Sequence, residues 1–255
     1  MAIVAVAGDA GTTTTVALAS AWPASSEALI VEADPEGGDL AAWFDIPVTP
    51  SLSTVVTSTF DTSWSEIDRH TRLAASGLRL IPAPPSAAEA RHAVAESVRS
   101  LAPALAALRA PIAIVDAGDV PHSPAAHPLV ASAAVSVVVH RQWSQSARAA
   151  AVRLQRLADQ VDAMATSSTR LVVAVIGNDP FDFDQIEAFL ADSVGSVPLV
   201  GLPVDGLTAA VYAGRTGVSA RRLARLPLAR AARHLAQVVD GAMQERVGEM
   251  RRAGR

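Results

Sequence analysis

Short runs of apolar residues recur along the chain and alternate with alanine-rich stretches of helical periodicity. The runs are continuous rather than alternating with polar residues, which is typical of strands buried on both faces of a parallel sheet. Strands are predicted at 2–7, 28–33, 78–82, 111–116, 134–140, 171–177 and 198–202. Helices are predicted at 13–22, 86–108, 144–164, 183–193, 206–213 and 227–251. The pattern predicts an α/β fold with a doubly wound, mostly parallel sheet and helices on both faces.

The length and composition suit one well-buried domain. The chain has 255 residues, of which 50% are apolar, and neither an internal repeat nor a low-complexity linker divides it. Region 45–77, rich in Ser, Thr and Pro, is the least regular part. We expect a single domain over residues 1–255.

Several classes of protein are excluded or disfavoured by composition. The chain has no Cys, so it has neither disulfides nor thiolate chemistry. It starts directly on an apolar strand, and its longest apolar run, about 129–139, is far shorter than the ~18–20 residues that a membrane span needs. All 21 basic residues are Arg, which with the abundant Ala suggests a GC-rich bacterial genome. We expect a soluble cytoplasmic protein.

Charge is unevenly distributed. Residues 219–255 hold nine Arg and three acids, a net charge of +6, whereas residues 1–218 hold twelve Arg and twenty-two acids, a net charge of −10. A basic C-terminal helix and tail of this kind can contact nucleic acid or a membrane surface, or can be the exposed face of a final helix.

The first predicted strand runs into a glycine-bearing turn and then a helix, the arrangement of a phosphate-binding loop. Such a loop holds phosphates with backbone N–H groups, a Lys ammonium and a Ser or Thr hydroxyl on Mg²⁺. The loop residues are Gly8, Asp9, Ala10, Gly11, Thr12, Thr13 and Thr14. The chain has no Lys, and Thr12 stands at the lysine position.

Other polar segments follow the predicted strands. Because ligands of open α/β sheets lie at the carboxyl ends of the strands, these segments are candidates to carry the chemistry. They are Glu32–Asp39, Asp116–Asp119 and Gly177–Asp179.

Taken in order, these motifs resemble the MinD/ParA group of P-loop ATPases, which includes partition and division-site ATPases and localisation proteins of pilus assembly. The matching segments are Ala7–Thr14, Glu32–Gly37, Ile112–Asp116, Asn178 and Gly201–Asp205, with Gly214 further on. No single segment is specific, but five in order span nearly the whole chain. The resemblance implies the P-loop fold.

The resemblance also implies roles for particular residues. Thr13 matches the hydroxyl that binds Mg²⁺, and Asp34 and Asp116 match the carboxylates that orient water and hold the metal shell. Asn178 and Asp205 match the segments that recognise the base. The alternative is that Thr13 caps the first helix, the two Asp residues bind neighbouring N–H groups, and the site is vestigial.

Departures from the family pattern bear on activity. The family has two lysines in this loop, one that binds the nucleotide of its own subunit and one that reaches the phosphates of a dimer partner; Thr12 and Ala7 replace them. Asp9 replaces a glycine, and a like-charge pair at ~4 Å costs about 4 kcal/mol at an effective dielectric constant of 20. We expect no cofactor, or ATP with Mg²⁺ bound only weakly, and no efficient hydrolysis.

An arginine could replace the missing lysine, because a guanidinium binds phosphate in a bidentate manner. Arg141, which leaves a strand end, and Arg215, beside the base segment, are the candidates. For both, an ordinary surface position is the simpler interpretation.

Other features are weaker. His122 and His127 lie five residues apart in a proline-containing loop, where satisfied or exposed histidines are expected rather than a metal site. Trp143 could anchor a partner, but a packed ring is expected. Ser25, Ser26 and Ser123 have no recognisable base.

The C-terminal segment is expected to be a core-facing helix followed by a polar end. Its apolar stripe runs over Leu228, Ala231, Ala232, Leu235, Val238, Val239, Ala242 and Met243. Beyond it only Val247 and Met250 are bulky and apolar, which disfavours membrane anchoring of the kind that division-site ATPases use.

Two functional hypotheses remain. The first is a pseudo-ATPase that binds a protein partner and acts in positioning or regulation, with any homodimer constitutive. The second is a weak ATPase switch whose cation comes from an Arg or from a partner. The first hypothesis places the protein in the cytoplasm, at the membrane periphery or at a cell pole.

Overall fold

The computed structural model describes residues 3–23, 27–58, 64–107, 111–119, 127–143, 146–165 and 170–253, with the backbone alone over 247–253. The strands are β1 (Ile3–Gly8), β2 (Ala28–Glu32), β3 (Arg72–Leu73), β4 (Arg79–Ile81), β5 (Ile112–Asp116), β6 (Val135–Arg141), β7 (Arg170–Ile176) and β8 (Leu199–Leu202). They form one sheet in the order β3-β4-β2-β5-β1-β6-β7-β8. Among the strand pairs of the described residues, only β3–β4 is antiparallel.

The helices complete a doubly wound α/β fold, as the sequence predicts. They are α1 (Gly11–Ala21), α2 (Leu40–Trp43), α3 (Leu52–Thr57), α4 (Trp64–Arg69), α5 (Ala87–Glu96), α6 (Leu101–Ala107), α7 (Pro128–Ala131), α8 (Ala147–Ala165), α9 (Phe183–Val194), α10 (Gly206–Tyr212), α11 (Ala220–Leu223) and α12 (Pro227–Ala253).

Two apolar cores lie on the two faces of the sheet. One face packs against α3 to α9, and the other packs against α1, α10 and α12. Strands β1, β2, β5 and β6 are buried on both faces, which is why their sequences read as continuous apolar runs.

The strand register brings three loops together at the carboxyl edge of the sheet. Val6 of β1 lies beside Asp116 of β5, and Glu32 of β2 lies beside that same aspartate. Gly8 lies beside Val139 of β6. The loops after β1, β2 and β5 therefore surround one point.

The structure corrects some element boundaries. All seven predicted strands are confirmed, but β3 was not predicted because two residues are too few for a periodic signal. The helix predicted over 86–108 is two helices, α5 and α6, and Ser97, whose hydroxyl donates to Val94 O (2.6 Å), is the C-cap of α5. Region 45–77 contains α3, α4 and β3.

The final helix faces the core as predicted. Its buried residues are Leu228, Ala229, Ala232, Leu235, Ala236, Val239 and Met243. Within the described ranges, no helix combines the length and the apolar character needed to cross a membrane. Arg255 and the side chains of Val247 and Met250 lie outside the described residues.

Candidate functional site

The loop between β1 and α1 makes a close approach to two neighbouring strands. Gly8 has φ of +111°, and its N–H donates to Gly118 O at 2.9 Å. A Cβ at Gly8 would lie 2.3 Å from the carbonyl oxygen of Val139, so no other residue fits without displacing β6. Glycine is therefore required here by both conformation and space.

Helix α1 begins without a side-chain cap. Ala10 takes the N-cap position in the left-handed region, with φ of 60°, and no side chain accepts a hydrogen bond there. The capping role considered for Thr13 is not observed, because the helix begins at Gly11. An uncapped helix N-terminus presents N–H groups and a partial positive charge, which favours an anion.

The residue at the lysine position turns towards an acidic side chain. Thr12 donates a side-chain hydrogen bond to the fully buried Asp116, whose Oδ1 also accepts from the N–H of Gly118 at 3.3 Å. No described residue forms a hydrogen bond with its Oδ2 atom. Burial raises the pKa of Asp116 to about 6, against the two hydrogen bonds and with help from neighbouring carboxylates.

Asp34 lies against the same turn. Its Oδ1 accepts from the N–H of Glu36 at 2.8 Å, and a Cβ at Gly118 would lie 2.3 Å from its Cγ. Burial raises the pKa of Asp34, the hydrogen bond opposes this rise, and neighbouring acidic side chains add to it. Asp34 and Asp116 thus form one acidic site beside the loop.

Glu32 is a structural residue that the sequence analysis named only within a motif. Its Oε1 accepts from the N–H groups of Asp39 (2.7 Å) and Leu40 (2.9 Å), and its Oε2 accepts from that of Ala83 (2.8 Å). Burial raises the pKa of Glu32 to about 7, although these three hydrogen bonds favour the charged form. Glu32 holds the loop after β2 to the end of β4.

The unusual Asp9 forms an ion pair that the sequence analysis missed. Arg153 of α8 donates from Nη2 to Asp9 Oδ2, across 144 positions of sequence. The two side chains are about one-third exposed, at 30% and 36%. A carboxylate inside a phosphate-loop motif predicts a nearby cation, but no local pattern identifies which arginine that cation is.

A cavity of about 130 Å³ adjoins the first turns of α1. It is lined by Ala10, Thr13, Thr14, Arg141, Ile176, Pro203, Val204, Asp205, Gly206, Ala209 and Leu228. The structure thus brings Thr13, Thr14 and Asp205 together. Of the two arginines considered as lysine replacements, Arg141 lines this cavity, whereas Arg215 is exposed and is not among the lining residues.

The two candidate base-binding residues differ in setting. Asn178 is exposed and does not contribute to the lining of this cavity. Asp205 is the N-cap of α10: its Oδ1 accepts from Thr208 N–H at 3.0 Å and its Oδ2 from Leu228 N–H at 3.3 Å. Burial acts to raise its pKa, but these hydrogen bonds prevail and lower the pKa of Asp205 below its usual value.

The expectation of a packed tryptophan is wrong. Trp143 is 41% exposed, and the guanidinium of Arg141 lies 4.2 Å from the centre of its ring. His127 is buried, with Nε2 2.8 Å from Ala33 O. Ser25, Ser26, His122 and Ser123 lie outside the described residues.

Comparison with known proteins identifies the fold. No family model and no curated protein matches the chain. Among solved structures, a ParA family ATPase from Chlorobium tepidum TLS is similar with a TM-score of 0.66 and 15% identity over 92% of this chain and 97% of that one. An ATP complex of a Cyanothece McdA variant has a TM-score of 0.62 and 14% identity over 97% of this chain and 96% of that one.

MinD from Aquifex aeolicus, in the MinC:MinD cell division protein complex, has a TM-score of 0.60 and 14% identity over 94% of this chain and 96% of that one. The chain therefore has the ParA/MinD-type P-loop fold, as its motifs predicted. At these identities the similarity establishes the fold alone.

The loop residues fit the phosphates of a nucleotide poorly. The uncapped start of α1 favours an anion, but Asp9 places a carboxylate in the loop, and Asp34 and Asp116 add two more beside it. With Thr12 in place of lysine, the loop itself carries no cationic side chain. Arg153 reaches the loop from α8, and Asp9 already accepts from it.

Proposed function

We propose that this protein is a ParA/MinD-like pseudo-ATPase that binds a protein partner and acts as a positioning or regulatory module. The settings that suit it are cell division, partition, secretion or pilus localisation. One observation carries the proposal: the loop that would hold phosphates contains Asp9, paired to Arg153, and has Thr12 where the lysine would be.

The argument is electrostatic. Phosphoryl transfer depends on positioning and on cations that neutralise the developing charge. A nucleotide would have to draw Arg153 away from Asp9 and would then face that carboxylate. At ~4 Å and an effective dielectric constant of 20, a single like-charge pair of this kind costs about 4 kcal/mol, before solvent screening reduces it. The helix N-terminus offsets only about 0.3–1 kcal/mol of this cost.

ATP turnover tests the proposal. Purified protein with ATP and Mg²⁺ should release phosphate no faster than background, because both cationic positions, Ala7 and Thr12, are lost. Asp34→Ala is the matched control, since it removes the carboxylate that matches the water-orienting group. Turnover that Asp34→Ala abolishes would contradict the proposal.

A rescue experiment tests its cause. The double variant Asp9→Gly, Thr12→Lys removes the carboxylate and restores an ammonium, so calorimetry should detect ATP bound at least tenfold more tightly than by the natural protein. A folded double variant without this gain would mean that charge is not what limits binding.

The cavity beside Thr13, Thr14 and Arg141 favours a second candidate function, a weak ATP-binding switch in which Arg141 supplies the cation. In that case calorimetry with ATP and Mg²⁺ gives saturable binding to the natural protein, and Arg141→Gln weakens it. Asp34 and Asp116, with Thr13, are then the Mg²⁺ side of the site.

The same loop residues also predict how copies of the protein associate with one another. Because Ala7 replaces the lysine that reaches across the family's dimer, we propose that any homodimer is constitutive and that ATP does not drive it. Sedimentation with and without ATP and Mg²⁺ should give one unchanged mass. A monomer that dimerises only with nucleotide would contradict both this and the pseudo-ATPase proposal.

We further propose a cytoplasmic protein that a partner recruits to a cell pole or to the membrane periphery, as one domain over 1–255. The core-facing stripe of α12 is buried against the sheet, so it is not available to a lipid surface. Nucleic-acid or membrane contact through the basic residues of 219–255 is the less favoured route.

A further inference from the structure

A second, polar cavity lies on the other side of the β1–α1 loop, between that loop and α8. Its volume is about 210 Å³, and it is lined by Gly8, Asp9, Asp119, Val139, His140, Arg153, Arg156, Leu157 and Gln160. We name it the α8 cavity. None of the residues from Ala10 to Thr14 lines it, so it is distinct from the cavity at the start of α1.

Two arginines of one helix face this cavity. Arg153 and Arg156 are three residues apart on α8, so they lie on the same side of the helix. Within the described ranges no acidic side chain pairs with Arg156, which is exposed. Arg156 is therefore a cation at the edge of the cavity that can contact a ligand without first breaking an ion pair.

Arg153 also has unused hydrogen-bonding capacity. Its Nη2 donates to Asp9, but its Nε is buried and has no acceptor among the residues that the structure describes. A buried donor without an acceptor destabilises the protein, so the guanidinium gains from any oxygen that reaches it. A guanidinium presents donors in a fork that matches the oxygens of phosphate or carboxylate.

The remaining walls are mixed in character. Asp119 adds a second carboxylate to that of Asp9, Val139 and Leu157 give an apolar side, and His140 is a buried residue of the lining. Burial lowers the pKa of His140, so at neutral pH its ring is uncharged and can donate or accept one hydrogen bond. The carboxylate of Asp9 is already engaged by Arg153.

We propose that the α8 cavity binds a small tetrahedral oxyanion, a phosphate group or its short ester, through Arg156 and Arg153. Asp9 orients Arg153 when the cavity is empty and competes with the anion for it. The site shares the Asp9–Arg153 pair with the proposed function but goes beyond it, because it does not use the cradle of Thr12 to Thr14.

Titration with inorganic phosphate and with pyrophosphate tests this site. At ~150 mM salt, where exposed charges are screened beyond about 8 Å, calorimetry should detect saturable binding to the natural protein. Arg156→Gln should weaken it at least tenfold, and Asp9→Asn should tighten it several-fold because the competing carboxylate is lost. Arg148→Gln, an exposed arginine of the same helix outside the cavity, is the matched control and should change nothing.

Nuclear magnetic resonance locates the bound anion. We expect side-chain shifts at His140 and Arg156, with the amides of Thr12 to Thr14 unmoved. The proposal is overturned if neither the natural protein nor Asp9→Asn binds either anion, if Arg148→Gln weakens binding as much as Arg156→Gln does, or if the shifts fall on Thr12 to Thr14. These experiments do not measure ATP turnover, so their outcome neither supports nor contradicts the proposed function.

Discussion

The carboxyl edge of the sheet has an acidic half and a basic half, and the β1–α1 loop lies between them. On the β2 and β5 side, the pKa values of three carboxyl groups are raised, those of the buried Glu32 and Asp116 and of the half-buried Asp34. On the β6 and α8 side lie Arg141, Arg153 and Arg156.

Each half bonds to one of the altered loop residues. Thr12 donates to Asp116 on the acidic side, and Asp9 pairs with Arg153 on the basic side. The loop therefore differs from a phosphate-binding loop in more than the absent lysine, because its altered polar residues are bonded to other groups of the protein. A nucleotide must compete with those partners.

The largest loss of stability is expected at Gly8, where the β1–α1 loop packs against β6 in the basic half. Gly8→Ala should lower the free energy of unfolding by at least about 3 kcal/mol, because the new Cβ overlaps the carbonyl of Val139 and φ is +111°. Gly77→Ala is the control: its φ is +85°, but nothing lies within 4 Å of the new Cβ, so it should cost only about 1–2 kcal/mol. Urea denaturation measures both, and equal losses would refute the close-approach argument.

In the acidic half, we expect Glu32 to contribute much more to the free energy of unfolding than an exposed acidic residue does. Glu32→Ala leaves the N–H groups of Asp39, Leu40 and Ala83 without their acceptor and should cost about 3–5 kcal/mol. Glu36→Ala, in the same loop, breaks only an exposed ion pair with Arg91 and should cost less than about 0.5 kcal/mol. Thermal and urea unfolding of the two variants compare them, and similar losses would contradict the anchoring role.

Asp116 should make stability depend on pH. Burial raises its pKa from 3.8 to about 6, so the folded state holds the proton more tightly than the unfolded state. The stability that this proton contributes is complete below about pH 4 and is lost as pH rises through about 6. Asp116→Asn keeps the Oδ1 acceptor and removes the charge.

The advantage of Asp116→Asn over the natural protein should therefore grow between about pH 4 and pH 6 and then level off, by up to about 3 kcal/mol from about 1.4 kcal/mol per pKa unit. Denaturation midpoints at pH 4, 5, 6 and 7 measure it. A difference that is constant with pH would show that Asp116 is ionised throughout this range.

The smallest effect on stability is expected at the ion pair of the basic half. Asp9 and Arg153 are about one-third exposed, so a double-mutant cycle with Asp9→Asn and Arg153→Gln should give a coupling energy of at most about 1 kcal/mol. The pair would then bear on ligand binding rather than on folding. A coupling energy well above 2 kcal/mol would instead make it a structural element.

The architecture of this protein could be predicted from its sequence. The motifs, taken in order, predicted the ParA/MinD-type fold. Strands buried on both faces, such as β1 and β6, must be continuously apolar, and this local pattern predicted them and the doubly wound sheet. The same pattern identified the strand ends at Gly8, Glu32 and Asp116, because chain direction places such segments at one edge of a parallel sheet.

Which groups meet at that edge depends on the tertiary structure. The pairing of Arg153 with Asp9 follows from how α8 packs against the sheet, and the two residues are too far apart in sequence, 144 positions, for a local pattern to predict it. The exposure of Trp143 has the same origin. Periodicity records which faces are buried, whereas pairing between distant side chains follows from the register and packing of whole elements.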